Sequence, residues 1–209
     1  METICYIIKH AEKLMGLIYD NNSKDNNEIK NEKQVLSIEG EEQAKKLAKI
    51  EELQNINIIY SSHYSRTIAT AKYLAKNLNL SINIEERLGE RIIGNTDKSF
   101  YKMLLNIQHH DFDYKAPNGE SLNDTKKRIT EIFNEIIDMN LGKEIVIFGH
   151  EIAFNCLLLN YCKAEYNLED KLVLSYSDNL SIPAYWSSPD GYKITLKDKD
   201  VINIEKLEL

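Results

Sequence analysis

Four short apolar runs punctuate the chain, and each gives way to polar residues. Residues 3–8 (TICYII) end at Lys9-His10, Ile56–Tyr60 at Ser61-Ser62-His63, Ser81–Ile84 lead to Glu90-Arg91, and Glu144–Phe148 end at Gly149-His150. Runs this short, rich in β-branched residues, read as buried strands that deliver polar groups at their tips. Helical patterns alternate with them: Ser37–Leu53 with Ser37 as N-cap, Tyr64–Leu78, Lys98–Ile107, Leu122–Met139 after the turn Pro117-Asn118-Gly119, and Ile152–Tyr161. Strands apolar on both faces must be covered on both. The alternation therefore predicts an α/β fold, a three-layer sandwich with a mostly parallel sheet and helices on both faces. Weaker strand-like pieces follow around Ile182–Trp186, Tyr192–Leu196 and Val201–Ile204. With 209 residues, no internal repeat and no linker, residues 1–209 are expected to form a single domain.

The charge balance excludes some partners. Twenty-six Lys and Arg stand against 33 Asp and Glu, a net charge of −7, whereas nucleic-acid affinity rests on clustered cations that release counterions. No nucleic-acid partner is expected, and an anion would have to meet a local positive pocket. The opening METICYIIKH has no charged segment leading into a long apolar stretch, and no window approaches the roughly 20 apolar residues of a membrane span. A cytoplasmic protein without a membrane partner is the expectation, and the sequence gives no oligomeric state. Cys5, Cys156 and Cys162 lie in apolar contexts without C-x-x-C spacing, the pattern of reduced core thiols.

In open α/β sheets, ligands bind beyond the carboxyl ends of strands, where helix N-termini also point. Two histidines, several cations and an acid converge there. Taken singly, each is an ordinary hydrogen-bonded or solvated side chain, and His63 and the pair His109-His110 are read that way. A metal site at His109, His110, Asp111 and Asp113 lacks helical H-x-x-x-H spacing, so no metal and no cofactor is assigned. Neither G-x-x-x-x-G-K-[ST] nor G-x-G-x-x-G occurs.

The pieces in order resemble a family. YIIKHAEK is similar to the strand and R-H-[GA]-E motif of the histidine phosphatase (phosphoglycerate mutase-like) superfamily, with Lys9 where the family has Arg. LSIEGEEQAKKLA resembles its L-T-x-x-G-x-x-Q-A helix, IIYSSHYSRTIATAKYLA its strand-S-S-x-x-x-R-x-x-x-T-A helix, and RLGE its L-x-E element. APNGESLND resembles the P-x-G-E-S segment and IVIFGHEIAFNCLL the strand bearing the second histidine. The likeness runs from about residue 4 to 162, and SDNLSIPAYW is only loosely similar.

The resemblance implies a metal-independent phosphatase acting on a phosphate monoester, small or carried on a protein. His10 would be the nucleophile that becomes phosphohistidine, Glu90 the proton donor, and Lys9, Arg66, His10 and His150 the groups around the phosphoryl oxygens. Glu151, after the second histidine, is the other candidate acid. Gly16 stands where many members carry a phosphate-contacting Asn, which disfavours mutase activity. A phosphomutase, or a phosphate-binding relative with weakened catalysis, are the alternatives.

Overall fold

The structure, a computed structural model, describes residues 1–14, 26–96, 98–177 and 179–209. Its elements are β1 (Glu2–Lys9), α1 (Asn27–Glu32), α2 (Ile38–Leu47), β2 (Ile58–Ser61), α3 (Ser65–Leu78), β3 (Ile82–Ile84), α4 (Lys98–His110), α5 (Leu122–Met139), β4 (Glu144–Gly149), α6 (Glu151–Leu158), β5 (Lys163–Tyr166), β6 (Leu172–Tyr176), β7 (Leu180–Pro183), β8 (Asp190–Lys197) and β9 (Asp200–Lys206). The main sheet runs β3-β2-β4-β1-β8-β9. Its first four strands are mutually parallel, while β8 and β9 extend it antiparallel.

Side-chain alternation distributes these strands between two cores. Cys5 and Ile7 of β1 and Ile145 and Ile147 of β4 pack with Ile129, Phe133 and Ile136 of α5 and Phe154 and Leu157 of α6. Tyr6, Ile8, Val146 and Phe148 pack instead with Leu47, the last residue of α2, and with Ala71 and Leu74 of α3. This two-sided burial is why the runs are continuously apolar, and it makes the three-layer α/β arrangement.

Several boundaries differ from the sequence expectation, each for a local reason. The pattern over Ser37–Leu53 breaks after Leu47, because the chain turns at Ala48–Ile50 and buries Leu53 and Ile56 through a short 3₁₀ turn at Glu51–Leu53. The polar stretch 20–34, read without an element, holds α1, capped by Asn26, whose side chain accepts from Ile29 N. Residues 20–25 of that stretch lie outside the described residues. Strands β5, β6 and β7 form a separate antiparallel sheet, and β5 is exposed along its whole length, so it carries no hydrophobic alternation to read. The piece at Ile182–Trp186 leaves the strand after Pro183. Among the described residues no helix is long and apolar enough to cross a membrane.

Candidate active site

Parallel pairing of β1 with β4 opposes Lys9 to Gly149, so the chain leaves both strands side by side. His10 N donates to Gly149 O at 3.2 Å, and the rings of His10 and His150 lie 5.5 Å apart, centre to centre, edge to face. Strand β2 adds its own tip, with Ser62 N donating to Phe148 O at 3.0 Å. Arg66, in the first turn of α3, reaches the same point: its Nη2 donates to His150 Nδ1 at 3.2 Å. His10, Arg66 and His150 are all buried.

Hydrogen bonds fix both imidazole tautomers. His10 Nδ1 lies 2.8 Å from Ala11 O, a carbonyl that can only accept, so Nδ1 carries the proton and Nε2 the lone pair. His150 Nδ1 accepts from Arg66, leaving Nε2–H to donate to Ser62 Oγ at 2.8 Å, with Thr67 Oγ1 a further 2.8 Å on. Burial holds the His10 imidazole well below its ordinary range. The Arg66 charge adds to that, with Lys9 and Lys13 behind it, against the bond to Ala11. His150 is lowered in the same way, by burial and then by Arg66 and His10. Both rings are therefore neutral at neutral pH.

The loop after β1 is clamped from two helices. Ser37 N donates to Glu12 O at 3.0 Å, Ser37 Oγ to Glu12 Oε1 at 2.7 Å, and Gln43 Oε1 accepts from Glu12 N at 2.9 Å. A Cβ at Gly40 would overlap the Glu12 carbonyl, so only glycine lets α2 approach this closely. From α3, Thr70 Oγ1 accepts from Ala11 N at 3.0 Å. The motif residues of α2 and α3 thus hold the backbone that carries His10.

The two candidate acids sit at the N-terminus of α6. Glu90 Oε1 accepts from Ala153 N at 3.0 Å and Arg91 N at 2.9 Å, and Oε2 accepts from Ile152 N at 3.4 Å. Its backbone is held by Arg128, which donates to Gly89 O and Glu90 O and pairs with Glu120 at 2.7 Å, the Glu of the P-x-G-E-S segment. Glu151 Oε2 accepts from Lys9 Nζ and from Trp186 N at 3.0 Å, and Lys9 also donates to Trp186 O at 2.7 Å. Burial pushes the Glu151 carboxyl up against the pull of Lys9. Of the four expected phosphate contacts, His10, Arg66 and His150 are brought together, while the ammonium of Lys9 is engaged by Glu151 and the Trp186 carbonyl.

Helix α1 closes over this point. Asn31 O accepts from Arg66 Nη1 at 2.6 Å, and Glu28 accepts from Tyr64 OH at 2.6 Å, while the Tyr64 ring lies 4.5 Å from that of His150. His63 faces Glu32 at 3.4 Å. His109 and His110 lie apart from the site: Tyr166 OH donates to His109 O, and His110 stacks on Tyr166 and pairs with Asp170 at 3.2 Å. Among the described residues no three His, Cys, Asp or Glu are grouped to hold a metal ion, and the cysteines are free thiols.

The family model described as the histidine phosphatase superfamily (branch 1) matches residues 6–197. The chain belongs to this superfamily. A "probable phosphatase" of Schizosaccharomyces pombe is 33% identical over 131 residues, 59% of this chain and 46% of that protein. A "probable phosphoglycerate mutase" of Escherichia coli K12 is 27% identical over 131 residues, 59% and 61% of the two chains. The chain thus spans about half to three fifths of the length of these relatives. Among solved structures, a mycobacterial glucosyl-3-phosphoglycerate phosphatase superposes with a TM-score of 0.66 at 16% identity, covering 99% of this chain and 97% of that one.

Around these residues, the sequence pattern gave no role to Ser62, Thr67, Thr70 or Trp186. The first three were visible inside the quoted motifs as short hydroxyl residues around Arg66, where a buried cation and imidazole need acceptors. Trp186 gave no comparable signal, because its contribution is made by backbone N–H and C=O.

Proposed function

We propose that the protein hydrolyses a phosphate monoester through a phosphohistidine on His10. One observation carries this reading: the bond from His10 Nδ1 to Ala11 O leaves Nε2 with a lone pair, in a ring kept neutral by burial and nearby cations. A phosphate monoester is already anionic, so attack needs its equatorial oxygens neutralised and the nucleophile in line. Arg66 supplies charge and donors once substrate displaces the Asn31 carbonyl, and the neutral His150 ring holds the guanidinium in place through Nδ1. Nε2 attacks phosphorus as the P–O bond to the leaving group breaks, and Glu90 passes a proton to the departing oxygen. Water then attacks the phosphohistidine, the P–N bond breaks, and the Glu90 carboxylate takes the water proton, releasing phosphate. No metal enters these steps. The substrate is a small phosphate ester or a phosphoprotein, the compartment the cytoplasm, and no nucleic acid takes part.

Rapid quench with labelled substrate tests this. Acid-labile, base-stable label on His10 is expected, with turnover unaffected by EDTA. Label on a serine, or a divalent-ion requirement, refutes it. Conversion of 3-phosphoglycerate to its 2-isomer, without phosphate release, would assign a mutase instead.

A further inference from the structure

A cavity of about 340 Å³, within the range of small-ligand pockets, opens between α1 and the chain that leaves Glu90. Asn26 and Glu28 line it on one side, Ile92, Ile93 and Asn95 on the other, and Asn118 at the turn before α5. The second side is laced to that turn. Glu120 N donates to Ile92 O and Asn95 N to Pro117 O, both at 2.8 Å, and a Cβ at Gly94 would come within 2.5 Å of Gly119 N. The space is therefore formed before a ligand enters it.

The cavity adjoins the phosphoryl centre. Tyr64 OH donates to Glu28 Oε1 at 2.6 Å, and the Tyr64 ring lies 4.5 Å from that of His150 and 4.7 Å from the Arg66 guanidinium carbon. Along α1, Glu28 is three residues, roughly 4.5 Å of helix rise, from Asn31, whose carbonyl accepts from Arg66 Nη1 at 2.6 Å. Glu90, the proposed proton donor to the departing oxygen, stands at the start of the wall that Ile92 continues. A phosphoryl group that replaces the Asn31 carbonyl on Arg66, with its leaving oxygen toward Glu90, thus puts the rest of the leaving group against Glu28.

We infer that Glu28 is a specificity-determining residue, and that the leaving group it selects is uncharged and hydroxyl-bearing, as in a polyol or sugar phosphate; this rests on the phosphatase reading above. Among the described residues the cavity wall carries a single charge, the Glu28 carboxylate, and no cation pairs with it. Burial pushes that carboxyl up against the Tyr64 bond, and the charges that add to the rise are those of Glu32, Glu120 and Glu90. The field here is negative, so a leaving group that carries a carboxylate is repelled. The carboxamides of Asn26, Asn95 and Asn118 both donate and accept, as a hydroxyl does. An ammonium only donates, and would leave their N–H groups unmatched.

Two esters that share one carbon skeleton test this: glycerol 3-phosphate, whose leaving group ends in a hydroxyl, and 3-phosphoglycerate, whose leaving group ends in a carboxylate. At about pH 8, above the carboxyl range, the wild type is expected to favour glycerol 3-phosphate in kcat/KM by about tenfold or more. Glu28→Gln keeps an oxygen for the Tyr64 hydroxyl and removes the charge. It should raise kcat/KM for 3-phosphoglycerate about tenfold, through KM, and close the gap between the two esters, with the melting temperature retained. Asn95→Ala should act on the other ester, costing glycerol 3-phosphate roughly three- to tenfold for one lost hydrogen bond. Phosphate release with a preference for 3-phosphoglycerate or O-phosphoethanolamine, or with a preference that Glu28→Gln leaves in place, would overturn the assignment and keep the hydrolase. If no ester is hydrolysed, calorimetric titration of the same proteins with the two esters decides. Tighter binding of glycerol 3-phosphate, equalised in Glu28→Gln, would refute the hydrolase reading and leave the selection by Glu28 standing; equal or absent binding in the wild type overturns both.

Discussion

Strands β1, β2 and β4 end within one hydrogen-bonded patch carrying His10, Ser62 and His150. The chain after Tyr161, which supplies β5 to β9, adds to that patch the backbone of Trp186. Strand direction accounts for the contrast. Parallel strands all finish at the same edge, beside helix N-termini, so residues at their tips are concentrated in space. Antiparallel strands finish alternately at opposite edges and disperse theirs. The parallel half carries the residues proposed for catalysis; the antiparallel half braces them, with Trp186 Nε1 donating to Asn155 Oδ1 of α6 at 2.9 Å and its ring against Phe154 and Tyr192.

If that division is right, variants in the parallel half should remove activity without unfolding the protein, and variants in the antiparallel half should do the reverse. The largest effect is expected from His10→Ala. It removes the proposed nucleophile, and turnover should fall by about 10⁴ or more. Circular dichroism and melting should stay near wild type. Residual turnover within about tenfold of wild type would mean that the nucleophile lies elsewhere.

Next comes Gly40→Ala, which touches no substrate. The added methyl overlaps the Glu12 carbonyl, so α2 or the His10 loop must move. A displacement of that loop should cost about 100-fold in kcat/KM, with a stability loss of about 1–3 kcal/mol from overpacking. Unchanged kinetics would show that the Glu12 clamp does not position the nucleophile.

Trp186→Phe probes the brace. A smaller aromatic ring remains, and Asn155 Oδ1 loses its donor in a buried setting, which should cost about 1–3 kcal/mol. The backbone bonds to Lys9 and Glu151 survive, so kcat/KM should change by less than about tenfold. A larger kinetic loss with unchanged stability would erase the distinction between the two halves.

The same contrast governs what could be read from the sequence. Because β1 and β4 are covered on both faces, TICYII and EIVIF are unbroken apolar runs that no solvent-facing residue interrupts, and their tips named His10 and His150. Arg66 and Glu90 were legible through helix spacing and the L-x-E element. The fate of Lys9 was not. Its partner Glu151 is 142 positions away, and its second contact is a main-chain carbonyl without a side-chain signature. Helix α1 was hidden for a different reason: it is six residues long, polar, and defined chiefly by the Asn26 cap and by the contacts of Asn31 and Glu28 with α3. The strands β5 to β7 are exposed or half-exposed along much of their length, so alternation carried little information there.

The smallest effect expected concerns acid, and it uses the same His10→Ala protein. His10 is buried with its pKa held well below the ordinary value of about 6.5. Below about pH 6.5 the unfolded chain binds a proton there that the folded protein does not, so the unfolded state gains. The contribution to stability is complete above the unfolded pKa and is lost as pH falls toward the folded one. His150 behaves alike, which makes the wild-type slope the work of at least two protons. Denaturant midpoints taken between about pH 7 and about pH 5 should therefore fall with acid in the wild type. In His10→Ala the fall should be shallower by up to one proton, or about 1.4 kcal/mol per pH unit. Carboxylates contribute equally to both proteins and cancel in the difference. Identical slopes would mean that His10 takes up its proton as readily in the folded protein as in the unfolded chain. Burial and the nearby cations would then not hold the ring neutral, and the phosphohistidine reading would lose that support.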